Sequence, residues 1–371
     1  MERLVLVSIV PSLWRSHKGG SLKWPRTGAL CLTLKKSQMK KILIALAVLA
    51  ASGAAMAQSS VTLYGVADVW LGSSKVEVGG VGIRQNVVDT SGVNGSRWGL
   101  KGAEDLGGGM KAIFTLESGF SLDTGASAQG GLLFGRQAFV GLQSDFGTVS
   151  LGRQYGAYED LHSVVDNNYS AFTFEANAGV AANGIPDYTV RVNNSVAYTS
   201  PVFSGFSGKV LYGFGENKNT PVVGNSSTNI ASLHLKYANG PLLVGYAYQE
   251  EKQTLGDKNK YNLIGGTYDF GVVKLLGSYH QIKNNTTKDK EYQVGVVVPI
   301  GAAAISAGYA HSKSDVGSVS NTGKGASILA TYNLSKRTSL YAAALNTKAH
   351  VLNAVAETQT TKYGLGIRHF F

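Results

Sequence analysis

The sequence predicts an all-β fold, a sixteen-stranded antiparallel transmembrane β-barrel. Three observations carry that expectation. Apolar and polar residues alternate with period two from Gln58 to the C-terminus. The chain of 371 residues holds 47 Gly and 18 Tyr but only 15% charged residues, a composition unlike a helical enzyme. Tight turns alternate with longer polar loops, as the two rims of a membrane barrel require. Mean hydropathy is zero, which excludes a bundle of membrane helices.

The N-terminal region is set apart by charge. Residues 1–57 hold nine basic residues and the single acid Glu2, leaving 25 bases and 22 acids, a net of +3, after Ala57. The overall charge of +11 is therefore no argument for nucleic acid. Cys31 lies in the same region, so the remainder has no thiol for a disulfide or a Cys metal site. Met39-Lys40-Lys41 forms a positive segment, Ile42 to Ala51 an apolar run too short to span a bilayer, and Ala55-Met56-Ala57 an A-x-A site. The expectation is a signal peptide over 39–57, cleavage between Ala57 and Gln58, and a mature barrel over 58–371. Residues 1–38 read as an extension from a start codon assigned too far upstream.

The first strand shows the pattern. Val61, Leu63, Gly65, Ala67, Val69 and Leu71 form an apolar face; Thr62, Tyr64, Val66, Asp68 and Trp70 form a mixed one. Strands are expected near 61–72, 95–105, 109–121, 133–146, 147–154, 193–201, 206–215 and 229–239. The second half continues with 241–252, 258–270, 271–283, 289–299, 302–313, 323–334, 338–349 and 361–371. Leu106-Gly107-Gly108, Asp145-Phe146-Gly147, Asn239-Gly240-Pro241, Asp269-Phe270-Gly271, Pro299-Ile300-Gly301 and Ser335-Lys336-Arg337 read as tight turns. Asp123–Gly131, Glu216–Thr228, Asn284–Asp289 and Ser314–Thr322 read as longer loops. A sandwich would bury large residues where Gly, Ala and Val stand here, and a propeller would repeat a blade signature that is absent. Closure removes every sheet edge, which lipid demands. Tyr64, Trp70, Phe120, Phe146, Tyr155, Tyr237, Phe270 and Tyr363 stand near strand ends, as interfacial girdles would.

The last nine residues, Tyr363-Gly364-Leu365-Gly366-Ile367-Arg368-His369-Phe370-Phe371, alternate strictly and end on an aromatic. They resemble the assembly signal of outer-membrane barrels, carried by Tyr363, Leu365, Ile367 and Phe371. Ser60–Val66, Gly95–Gly107, Phe134–Leu142 and Gly147–Gln154 resemble the general diffusion porins of Gram-negative bacteria, in the group typical of β-proteobacteria. The resemblance covers Gln58 to Phe371. It implies a homotrimer of sixteen-stranded barrels in the outer membrane, assembled by the barrel-assembly machinery among lipid and lipopolysaccharide. Each barrel would pass small hydrophilic solutes and ions passively, with no cofactor, no metal and no nucleic acid.

The resemblance also implies a third extracellular loop folded into the lumen. Here that loop runs from about Tyr155 to Tyr188, carries Glu159, Asp160, Asp166, Glu175 and Asp187, and lacks Arg and Lys. Val164, Tyr169, Phe172 and Phe174 point to packing against a wall. The family's basic cluster maps onto Arg97, Arg136 and Arg191. Parity turns Arg97 and Lys101 inward against Trp98 and Leu100, and Arg191 inward with Asn193 and Ser195 against Val190, Val192 and Val196. Arg136 shares the parity of Ala138, Val140 and Leu142, so either a bulge turns it inward or it meets a neighbouring subunit. Glu117, inward with Thr115, joins the acidic side. Permanently charged arginines facing carboxylates across confined water would set up a transverse field. A weak anion preference is the expected outcome.

Chemical motifs are absent. Gly208-Lys209 and Gly323-Lys324 are followed by Val and Gly, so neither is a phosphate loop, and no H-E-x-x-H occurs. Ser232 and His234 share a face, a weak hint of a barrel hydrolase. A substrate-specific channel and an adhesive or structural barrel remain as alternatives.

Overall fold

The computed structural model describes residues 60–166, 172–177, 187–216, 228–254, 256–350 and 356–371. The expected signal segment, the Ala57–Gln58 cleavage site, Tyr169 and most of the Glu216–Thr228 loop lie outside the described residues.

Seventeen strands form one closed antiparallel sheet. In chain order they are β1 (Ser60–Val78), β2 (Val81–Thr90), β3 (Arg97–Gly107), β4 (Met110–Gly119), β5 (Gln137–Ser144), β6 (Gly147–Tyr155), β7 (Arg191–Thr199) and β8 (Phe206–Gly213). There follow β9 (Ile230–Asn239), β10 (Leu242–Lys252), β11 (Lys258–Asp269), β12 (Lys274–Lys283), β13 (Thr287–Ile300), β14 (Ala303–Val316), β15 (Val319–Asn333), β16 (Thr338–His350) and β17 (Glu357–Phe370). β2 and β3 pair with successive stretches of β1, Val81–Thr90 with Val69–Val78 and Arg97–Ala103 with Ser60–Val66. They are two pieces of one barrel stave, so the wall has the sixteen staves the sequence predicts. β17 closes the ring on β1, Val66 opposite Phe370.

Alternation sorts the faces as expected. Val61, Leu63 and Leu71 are each about 60% exposed on the outside, whereas Asp68 and Trp70 are buried on the lumen side. Outward Phe146 and Phe270 are exposed at strand ends, Tyr363 is exposed midway along β17, and Tyr237 packs on Phe206 at 4.7 Å. Trp70 and Tyr64 leave the expected girdle, because their parity with Asp68 puts them in the lumen, and Tyr155 leaves it too, facing the cavity inside the barrel.

Four boundaries depart from expectation. The first stave continues past residue 72 and returns as β2 through Gly79-Gly80, both at positive φ, the requirement of a two-residue hairpin turn. Asn284–Asp289 and Ser314–Thr322 are not long loops. β13 already begins at Thr287, and β14 and β15 meet at a turn on Gly317, where polar residues continue the ladder on both faces. The strand expected over 133–146 shortens to β5.

The apolar core lies inside the barrel, where the third loop is docked. Its helix α1 (Ala157–Val165) buries Ala157, Tyr158, Leu161 and Val165, one stripe of a helical surface. That stripe packs on Ala247, Tyr261, Leu263 and Ile282 of β10–β12. Glu159 and Asp160 occupy its first turn, which suits the helix dipole. Farther on, the short helix Phe172–Phe174 reaches another part of the wall. Phe174 stands edge-on to Trp70 at 5.1 Å and joins Val93, Leu329 and Tyr341. The loop thus contacts the inner wall at two separate places.

Candidate functional site

A basic wall and an acidic loop line a single cavity of about 450 Å³. The wall is built from β3, β4, β6 and β7. Glu117 of β4 is buried and lies opposite Gly99 in the ladder, so its parity is inward. It receives Arg136 Nε at 2.8 Å, Arg97 Nε at 3.5 Å and the Tyr64 hydroxyl at 3.0 Å. Tyr155 links the remaining guanidinium: its hydroxyl accepts from Arg136 Nη2 at 2.6 Å and from Arg191 Nη2 at 3.1 Å. Arg191 also stacks over the Tyr155 ring at 4.8 Å. Arg191 Nε is buried without a hydrogen-bond partner among the described residues. Lys101 lies farther along β3, its Nζ 5.3 Å from the Tyr64 ring.

Arg97, Lys101, Arg136 and Arg191 therefore face the lumen together. Arg136 does so without a bulge. It precedes β5, and parity binds only residues within a strand; the ladder starts at Gln137 opposite Glu117. Gly95 allows the approach, since a β-carbon there would stand 3.0 Å from Arg136 Nη1. The parity reading of Arg191 needs correction at its neighbour. Val192 is buried on the lumen side with Ala197 and Leu211, because the register slips between Gly152 and Gln154 and Asn194 takes φ +46°. Glu117 is inward as expected but stands among the arginines, as their counter-charge, rather than across from them.

The loop carboxylates divide by partner. Asp160 points back to β8, where Lys209 Nζ reaches it at 2.8 Å and the Tyr155 carbonyl at 2.7 Å. It anchors α1 and does not line the cavity. Glu159, Glu175 and Asp187 do line it. The Tyr188 hydroxyl donates to Glu159 at 2.5 Å, yet burial pushes the Glu159 carboxyl up to about 7. Burial likewise raises Glu175 to about 7, against a hydrogen bond from neighbouring Asp166. Asp166 itself is buried at the end of α1 and lies outside the cavity lining.

Sequence reasoning missed several lining residues. Glu291 of β13 lines the cavity beside His280. Its signal was present, since Glu291 and Gln293 alternate with Lys290 and Tyr292. His162 lines it too, and burial lowers that imidazole to about 4, so it is neutral. Ser232 and His234 face the lumen and serve the loop: Ser232 Oγ accepts the Tyr158 N–H at 3.0 Å, and His234 Nδ1 meets the Ala157 carbonyl at 2.8 Å. The pair therefore lies in the lumen, engaged with α1, and not on an outer wall.

Residues 44–350 match the family model described as Gram-negative porin. An outer membrane porin protein of Bordetella pertussis is 34% identical, covering 90% of this chain and all of that protein. Outer membrane porin protein 32 of Delftia acidovorans is 35% identical over 82% of this chain and 88% of its own. Among solved structures, an anion-selective porin from Comamonas acidovorans superposes with a TM-score of 0.71 at 28% identity, covering 85% of this chain and all of that one.

Proposed function

This chain belongs to the Gram-negative porin family and forms a passive diffusion channel of the outer membrane, and from that premise we propose that its narrowest part favours small anions. The observation that carries the reading is the unequal charge of the two sides. Of the three guanidiniums on the wall, Arg97 and Arg136 share the carboxylate of Glu117, and Arg191 donates, among the described residues, only to the Tyr155 hydroxyl. On the loop, Asp160 is neutralised by Lys209, and the raised Glu159 and Glu175 are partly protonated near neutral pH. At physiological salt the screening length is about 8 Å, so charges bordering the path dominate. The solved relative named anion-selective supports the same reading. Passage is diffusion through oriented water; no residue is consumed and no bond breaks.

The constriction itself, made by Arg97, Lys101, Arg136 and Arg191 against Glu159, Glu175 and Asp187, belongs to this proposal. So do the homotrimer, the removal of residues 39–57, delivery by the barrel-assembly machinery and contact with lipopolysaccharide. Liposome swelling tests the channel. Small monovalent organic anions are expected to enter faster than cations of matching size, and equal or reversed rates would refute the preference.

A further inference from the structure

The outer face of β11–β16 carries lysines in direct cross-strand register. Lys260 of β11 stands opposite Lys283 of β12, which stands opposite Lys288 of β13. Lys290 pairs with Lys313 of β14, and Lys324 of β15 with Lys348 of β16. All point away from the lumen, because the intervening Ile282, Asp289, Glu291 and Ser312 are buried inside. Like charges placed directly opposite one another destabilise a sheet. Carboxylates relieve part of the ladder: Glu250 meets Lys258 and Lys260, Asp315 meets Lys313, and Glu357 meets Lys348. Lys283, Lys288, Lys290 and Lys324 are exposed and have no carboxylate within ion-pair distance among the described residues.

The height of this ladder on the barrel says what meets it. Directly below Lys290, on the same face of β13, come Tyr292, Val294, Val296, Val298 and Ile300. Tyr279 and Tyr309 flank that tyrosine level on β12 and β14, both about 40% exposed. Tyr292 to Ile300 is the length of strand that crosses a hydrocarbon core, roughly 9 residues. The tyrosines then mark the interface, and the lysines, about 7 Å farther along the strand, stand at headgroup level.

We propose that Lys283, Lys288, Lys290 and Lys324 bind the phosphates of the phosphorylated glycolipid in the outer leaflet. The proposal rests on the outer-membrane reading for the orientation of this rim. It places the lipopolysaccharide contact on one sector of the wall. A multivalent anion bridging neighbouring strands relieves the repulsion that remains among these lysines. A free anion would satisfy the charge but not the position just above the tyrosines, so the surface fits a headgroup anchored in the leaflet.

The test uses protein purified in detergent, with bound lipid counted by native mass spectrometry. The probes are diphosphoryl lipid A, dephosphorylated lipid A and inorganic phosphate. The combined Lys283→Gln, Lys288→Gln, Lys290→Gln and Lys324→Gln variant is expected to lose diphosphoryl lipid A affinity by at least about tenfold. The matching Lys→Arg variant should retain it, and both should keep the conductance of the unmodified protein. Unchanged affinity in the Gln variant would overturn the proposal. So would equal binding of dephosphorylated lipid A, or complete displacement by millimolar inorganic phosphate. Should the fourfold Gln variant fail to fold, Lys290→Glu read against Lys290→Arg decides in the same way. Failure of the channel reading would show instead as absent conductance with lipid retention intact.

Discussion

Tyr341 donates its hydroxyl to the Asp68 carboxylate at 2.5 Å across 273 residues of sequence. The same carboxylate accepts the backbone N–H groups of Gly92, Val93 and Asn94 at 2.8–3.0 Å. It thereby fixes the break between β2 and β3. The third loop leans on that break, since Thr173 donates its N–H to the Gly92 carbonyl at 3.2 Å and its hydroxyl to the Ser91 carbonyl at 2.8 Å.

Asp68→Ala should therefore act on the pore without touching it. Leaving buried donors unsatisfied costs about 3 kcal/mol in total. A lower thermal transition and noisier single-channel current are expected. An unchanged transition would show that the break holds its shape unaided.

The loop's second anchor is expected to behave differently. Lys209→Met removes the partner of Asp160 and of the Tyr155 carbonyl, leaving α1 held by its apolar stripe and by Ser232 and His234. Breaking this half-buried, charge-assisted pair from one side costs about 1–2 kcal/mol. A second conductance level should appear, reporting a shifted helix. A single level identical to that of the unmodified protein would mean that packing on Tyr261 and Leu263 suffices.

Acidification should strengthen anion preference. Glu159 and Glu175 are raised to about 7, so they lose charge as pH falls through neutrality. Because their folded values lie above the unfolded ones, they favour the docked loop most below the ordinary carboxylate range. That contribution is lost as pH rises through about 7. Selectivity measured on either side of neutrality should differ, and Glu159→Gln should reduce the difference. A preference flat with pH would contradict it.

Much of this was legible in the residues. Alternation around Asp68 and Trp70 gave the inner face, and parity placed Arg97 and Lys101. Arg136 was illegible because it sits one residue before β5, where no ladder fixes its direction. Val192 was misread because Asn194 in the left-handed region shifts the phase, and an Asn at that φ leaves little trace in an alternating pattern. The continuation of β1 through Gly79-Gly80 had a signal in the period-two pairs Val76/Val78 and Val81/Ile83 on either side. The partners of Asp160 and Glu117 lie far away in sequence, so their roles as anchor and counter-charge emerged only from the closed wall.

The C-terminus makes the seam. Phe371 donates its N–H to the Gly65 carbonyl at 3.1 Å and accepts the Gly65 N–H at 3.0 Å. Deleting Phe371 removes both bonds at the closing edge. Export should continue while folded protein in the outer membrane falls. Unchanged yield would reduce the residue to an ordinary strand end.

Reversal potential across a planar bilayer, in a salt gradient, tests the central claim most directly. The unmodified channel should prefer anions, more strongly in dilute salt, and Arg97→Ala and Arg191→Ala should each weaken that preference while the barrel stays folded. A clear cation preference in the unmodified protein, untouched by either substitution, would mean that the loop carboxylates govern the pore and the arginine wall does not.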